Sequence, residues 1–368
     1  MIPPEITDRI IDFLHGDHDT LRSCSLTCSE WLPSARFHLF YTLVLSNAFQ
    51  LSKYARLLKS APHVGHYVRS LKMQYYSNDI TLDVCRHFSN LTKFELSCDI
   101  RNFETFLSLL TCFPLLKHLH FQYSDFPISD IGTTVTAVPQ SVELLWLRGV
   151  SFEMSKFMEW AIGTGLFQRI RTFGYTPRFD RDRENILGIC TFFKCYGQNL
   201  VHLDLLYLST ACSDGECGGS FPGSCRLNHQ FHIEFFEAFG CLVNLERFFL
   251  LYPYNDGISG DFLKRSSHPR NIPQFFHRIT SHSINRLVCV LRYVGLSPPS
   301  QDFDASFTDV WRDVAEILSD SRFVNLTKFT LQLDEFLRPK EEVYFAPLPP
   351  LRTRGVLSVQ CMSRYFIQ

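Results

Sequence analysis

The stretch LTKFEL at residues 91–96 has a near twin, LTKFTL, at residues 326–331, and both put apolar side chains at the first, fourth and sixth positions. The last two, Phe94 and Leu96 or Phe329 and Leu331, stand two apart, which places them on one face of a short strand. The first, Leu91 or Leu326, turns inward from the bend leading into it. The same signature recurs as VRSLKM from Val68, LKHLHF from Leu116, VELLWL from Val142, IRTFGY from Ile170, LVHLDL from Leu200, LERFFL from Leu245 and INRLVC from Ile284. Nine copies define a repeat.

From Leu71 the middle positions advance by 23, 25, 26, 28 and 30 residues to Leu203, and then by 45, 39 and 42 to Phe329. One such unit cannot cover its own apolar face, but stacked neighbours can. The expected body is therefore α/β: a solenoid with a parallel strand row inside and helices outside, among them EWAIGTGLF and ENILGICTFFKCYG. A degenerate last copy, RGVLSV with Leu357 and Val359, is expected to close the row. In each strand the residue between the two inward positions points to the open surface, giving Lys72, Glu95, His120, Trp146, Gly174, Asp204, Phe249, Val288 and Thr330. His120, Trp146, Asp204 and Phe249 are the candidate binding positions, because outward aromatic rings can anchor a partner.

Composition narrows the function classes. The chain has 368 residues, 45% hydrophobic and 20% charged, so it can bury a large core. With 36 Lys and Arg against 37 Asp and Glu, no net field would draw it onto nucleic acid or an anionic membrane. No basic stretch followed by an apolar run opens the sequence, and the expectation is a soluble cytoplasmic or nuclear protein. Thirteen cysteines at mostly apolar positions suit reduced thiols. The 35 Phe against 5 Met imply stiff rings filling a core between mismatched repeats.

Residues 2–40 do not follow the repeat. Pro3, Pro4 and Glu5 suit a first helical turn, and Ile6, Ile10, Ile11, Phe13 and Leu14 then form an apolar stripe at helical spacing. Gly16 to Asp19 breaks it. Asp19 or Thr20 is expected to cap a second helix bearing Leu21, Cys24 and Leu26, and Ser29 a third bearing Trp31, Phe37, Leu39 and Phe40. A unit this small buries only part of its apolar surface, and the surplus must face something.

The order and spacing of IPPEITDRIIDFL, LRSCSLTCSEW and ARFHLFYTLVL resemble an F-box, the three-helix motif that docks onto the Skp-type adaptor of cullin-based SCF ubiquitin ligases. The match covers residues 1–45, with Ile2 where Leu is usual, an extra Pro4, Thr27 for Val and Ser29 for a basic residue. The resemblance implies that Ile2, Pro3, Ile6, Ile10, Leu26, Cys28 and Trp31 divide between the adaptor groove and the three-helix core. Residues 46–368 resemble irregular leucine-rich repeats, in which the Asn at the usual turn position is mostly absent. Together the two imply a fungal-type F-box and leucine-rich-repeat substrate receptor whose repeats select a target protein for ubiquitination. The alternative class is an interaction scaffold that does not direct ubiquitination.

Loops are expected at 209–229, 253–273 and 294–307, where Gly, Pro and Ser dominate. Cys212, Cys217, Cys225, His229 and His232 lack the tight pairs of a zinc site. No phosphate loop, GxSxG elbow, HExxH or GxGxxG motif occurs. The expected protein is not an enzyme and carries no metal or cofactor.

Overall fold

The computed structural model describes residues 3–76, 78–100, 102–125, 127–128, 138–177, 182–206, 233–254, 272–293, 301–334 and 348–362. The chain forms two compact units, Met1–Phe152 with Thr164–Arg169, and Glu153–Gly163 with Ile170–Gln368.

The first unit begins with three helices, α1 (Pro4–Phe13), α2 (His18–Thr27) and α3 (Leu32–Tyr41). Pro at the start of α1 loses no helical hydrogen bond, and Glu5 sits in its first turn. Ile11, Leu21, Cys24 and Ala35 are buried where the three meet, with Leu14, Trp31 and Leu39 packed against them. Two polar ties lock α1 to α3: Ser34 Oγ donates to Asp8 Oδ1, and His38 Nε2 lies 2.7 Å from Asp12 Oδ1.

Five strands follow, β1 (Thr42–Leu45), β2 (Ser70–Met73), β3 (Lys93–Leu96), β4 (His118–Gln122) and β5 (Leu144–Arg148). Each is parallel to the next, with Leu43, Leu71, Phe94, Leu119 and Leu145 aligned in one ladder. Every second side chain is buried, as the signature requires. Helices α4 (Ala48–Ser60), α5 (Asn78–Cys85) and α6 (Phe103–Thr111) connect the strands. Asn47 and Asn102 cap α4 and α6 by accepting from the Gln50 and Thr105 amides at 3.0 and 2.9 Å.

The second unit repeats this plan with longer elements. Helix α7 (Met154–Thr164), strand β6 (Thr172–Thr176), helix α8 (Asp182–Tyr196) and strand β7 (His202–Leu206) come first. Strands β8 (Arg247–Tyr254), β9 (Arg286–Tyr293), β10 (Lys328–Asp334) and β11 (Leu357–Met362) complete a parallel row in chain order. Helical residues 233–239 form α9, followed by α10 (Ile272–Arg278) and α11 (Gln301–Leu318). The two expected outer segments fall on α7 and α8.

Phenylalanine rings connect successive repeats. Phe94 meets Phe113 at 5.2 Å and Phe121 meets Phe152 at 5.4 Å in the first unit. In the second, Phe173 meets Phe192 at 4.8 Å, Phe236 meets Phe275 at 5.1 Å and Phe239 meets Phe248 at 5.4 Å. Edge-to-face and tilted pairs of this kind fill a gap between unequal repeats without needing identical neighbours.

Four expectations need correction. FYTLVL from Phe40 carries the signature too, since Leu43 and Leu45 pair with Leu71 and Met73. Its reading as the end of the helical unit hid it. The loops of 253–273 and 294–307 are shorter than expected, because β8 extends to Tyr254, α10 starts at Ile272 and α11 starts at Gln301. Phe303, Phe307, Val310 and Val314 keep a helical period through that last stretch. Asp17, not Asp19 or Thr20, caps α2 by accepting from the Thr20 amide at 3.0 Å. Ser29 does not cap α3, which follows Trp31 and has Pro33 in its first turn. The loop at 209–229 lies outside the described residues, as do Cys212, Cys217, Cys225, His229 and His232.

Candidate functional site

Helix α1 carries two apolar stripes rather than one. Thr7, Ile11 and Leu14, spaced i, i+4, i+7, face the three-helix core. Ile6, Ile10 and Phe13, rotated by about a quarter turn, remain 49%, 48% and 78% exposed. On α2, Leu21 and Cys24 are buried while Leu26 is 87% exposed. The core of the unit is complete without these four side chains, so intramolecular packing does not account for them. Pro3 and Cys28 are exposed as well. Trp31 is half-buried against the core, and Ile2 lies outside the described residues.

The second surface is the open side of the strands. In the first unit Val44, Lys72, Glu95, His120 and Trp146 stand in one register across β1 to β5. Lys72 Nζ meets Glu95 Oε1 at 2.5 Å, and the His120 ring stacks on Trp146 at 6.4 Å and 12°. Burial between these neighbours, with the charge of Lys93 added, depresses the His120 imidazole to about 4. His118 shifts the same way for the same causes. Both are neutral at pH 7, which leaves Trp146 and His120 as one flat, uncharged platform.

In the second unit the equivalent register runs Gly174, Asp204, Phe249, Val288, Thr330 and Ser358. Asp204 and Phe249 are neighbours across β7 and β8 and are partly exposed, whereas Gly174 and Thr330 are buried. Burial raises the Asp204 carboxyl to about 6. The register two residues earlier holds Thr172, His202, Arg247, Arg286 and Lys328. Arg247, Arg286 and Lys328 are the third letters of LERFFL, INRLVC and LTKFTL, and strand pairing sets them side by side.

The turn before the strands also holds more than the sequence reading found. Asn90, Asn244 and Asn325 each precede the first apolar residue of a signature. Their Nδ2 groups donate to the His66, Gln198 and His282 carbonyls, one repeat earlier, at 3.0, 2.7 and 2.8 Å. Ser281 Oγ donates likewise to the buried Leu245 carbonyl at 2.8 Å, and Ser141 Oγ to the Leu116 carbonyl at 2.7 Å. A turn Asn is therefore present at intervals, and in one copy Ser141 stands in its place. The detectable signal is an Asn-Leu pair, repeated at 90–91, 199–200, 244–245 and 325–326.

No protein-family model matches the chain, and no curated protein matches it. Among solved structures, the one titled "Crystal structure of TLR13-ssRNA13 complex" is similar at 11% identity with a TM-score of 0.33, over 81% of this chain. The chain spans 39% of that protein's length. The repeat fold described above rests on the chain's own strand register. Among the described residues no group of histidine, cysteine or carboxylate side chains could hold a metal ion, and no helix is long and apolar enough to cross a membrane.

Proposed function

We propose that this chain is the substrate-recognition subunit of an SCF-type ubiquitin ligase, with α1 to α3 docking a Skp-type adaptor and the repeats binding a target protein. The observation that carries the reading is the exposure of Ile6, Ile10, Phe13 and Leu26 on a helical unit whose own core is already filled. Removing such side chains from water contributes about 1.5 to 3 kcal/mol each, which gives the unit a strong tendency to dock on an apolar groove. Scattered exposed hydrophobics are ordinary. Four within the first 26 residues, three of them on one helical stripe, are not.

In this reading the chain contributes binding and placement, and the transfer of ubiquitin belongs to other subunits. Adaptor should co-purify with the wild-type chain and be lost in Ile10→Asp and in Leu26→Asp, both at exposed positions that leave the helical core intact. Cys28, which is exposed beside Leu26, should become protected from iodoacetamide when adaptor is added, while exposed Cys195 stays reactive as the internal reference. Retention of adaptor by both aspartate variants would overturn the assignment. A bound target whose ubiquitination rises in the reconstituted ligase separates a receptor from a scaffold.

A further inference from the structure

The open side of the second unit holds a row of cations that no salt bridge neutralises among the described residues. Arg247, Arg286 and Lys328 occupy the same register on β8, β9 and β10, and His202 extends the row on β7. Adjacent strands lie about 4.8 Å apart, so the three permanent charges span about 10 Å. All three are exposed, and none forms a salt bridge among the described residues. The nearby carboxylates are Glu246, beside Arg247, and Asp204, one register step further along β7. Neither forms a salt bridge with the row among the described residues, and the charge of Glu246 acts on His202.

Like charges directly opposite on neighbouring strands destabilise a sheet. The first unit avoids this: its corresponding register reads Thr42, Ser70, Lys93, His118 and Leu144, with a single permanent cation. Its nearest charged neighbours, Lys72 and Glu95, neutralise each other. Beside the cationic row the next register offers the apolar side chains of Phe249 and Val288.

We infer that the Arg247, Arg286 and Lys328 row is the docking surface for an acidic segment of a partner protein, its Asp and Glu carboxylates on the three cations and a large apolar side chain on Phe249 and Val288. Charge complementarity sets this choice. Arg presents a planar fork matched to carboxylates, and an apolar strip two residues away favours a peptide over a polyanion of phosphates alone. The row is also too short for a nucleic-acid track, and the chain has no net positive charge to extend it. The inference names the partner chemistry of the proposed receptor and rests on that reading only for the partner's fate after binding.

The test uses the full chain and a fluorescein-labelled peptide alternating Asp-Glu pairs with leucine, beside the same peptide with lysine for the acids and a labelled oligo(dT). The acidic peptide should bind, with affinity falling as salt rises, and the lysine peptide should not. R247Q/R286Q/K328Q should weaken binding roughly tenfold or more, while R247K/R286K, which keeps the charge and loses the fork, should weaken it less than the glutamine variant. These positions are exposed, so thermal melting and adaptor co-purification should not change. Absence of acidic-peptide binding, equal binding by the glutamine variant, or tighter binding of oligo(dT) would each overturn the inference. Adaptor binding by the same samples reports separately on the ligase reading.

Discussion

Single residues show how narrowly the fold is specified. Tyr123 adopts φ 50° and Gly149 φ 58°, and a Cβ on Gly149 would stand 2.6 Å from the Tyr123 ring. Arg148 lies over that ring at 5.6 Å. Gly149→Ala should therefore cost about 1 to 3 kcal/mol, from both the left-handed backbone and the ring's displacement, measured by chemical denaturation. Ser281→Ala should cost about 1 to 2 kcal/mol, since it leaves the buried Leu245 carbonyl without its donor. Asp204 has a folded-state value of about 6, above its ordinary 3.8. A raised carboxyl lowers stability as pH rises between those values, and the full penalty stands above pH 6. Asp204→Asn should thus stabilise the protein by about 1 to 3 kcal/mol at pH 8, with the gain fading towards pH 4 in pH-dependent melts. His120 works the other way: depressed from 6.5 to about 4, it contributes stability that is complete above pH 6.5 and lost on acidification.

At the scale of elements, α1 and β8 carry opposite lessons about legibility. The helical period of α1 was plain in the sequence, yet the letters Ile6, Ile10, Ile11, Phe13 and Leu14 do not say that they divide into a buried stripe and an exposed one. That division depends on where α3 crosses α1, fixed by the Asp8–Ser34 and Asp12–His38 ties. Strand β8 was legible over Arg247 to Leu250 because the LERFFL signature marks it, while its continuation to Tyr254 passes through Pro253, which reads as a turn. Pairing with β9, down to Tyr254 opposite Tyr293, keeps it extended. The start of α11 was equally obscured, since QDFDASF looks like loop by composition and only its period marks a helix. Exchange data give a test: amides of α11 from Phe307 onward should be protected in native-state hydrogen exchange, whereas a loop there would exchange within seconds.

In the whole molecule, stability is passed between neighbouring repeats. Phe275 touches Phe235, Phe236, Phe239 and Phe248, so it joins two repeats of the second unit. Phe275→Ala should cost about 3 to 5 kcal/mol, and hydrogen exchange should accelerate first in β8 and β9 while β2 to β4 keep their protection, as nearest-neighbour stacking requires. The repeat, its strand positions, its register and the inward ladder are legible in the letters, because alternation and periodicity are local properties that survive in their order. The sequence also marked His120, Trp146, Asp204 and Phe249 as lying on the open side of their strands. Folding alone settled how side chains sit once neighbours: the His120 ring lies 12° from Trp146, Lys72 pairs with Glu95, and Ile6, Ile10 and Phe13 stay exposed while Ile11 is buried. Orientation and burial depend on what each side chain meets across the fold, and the order of the letters does not carry those contacts.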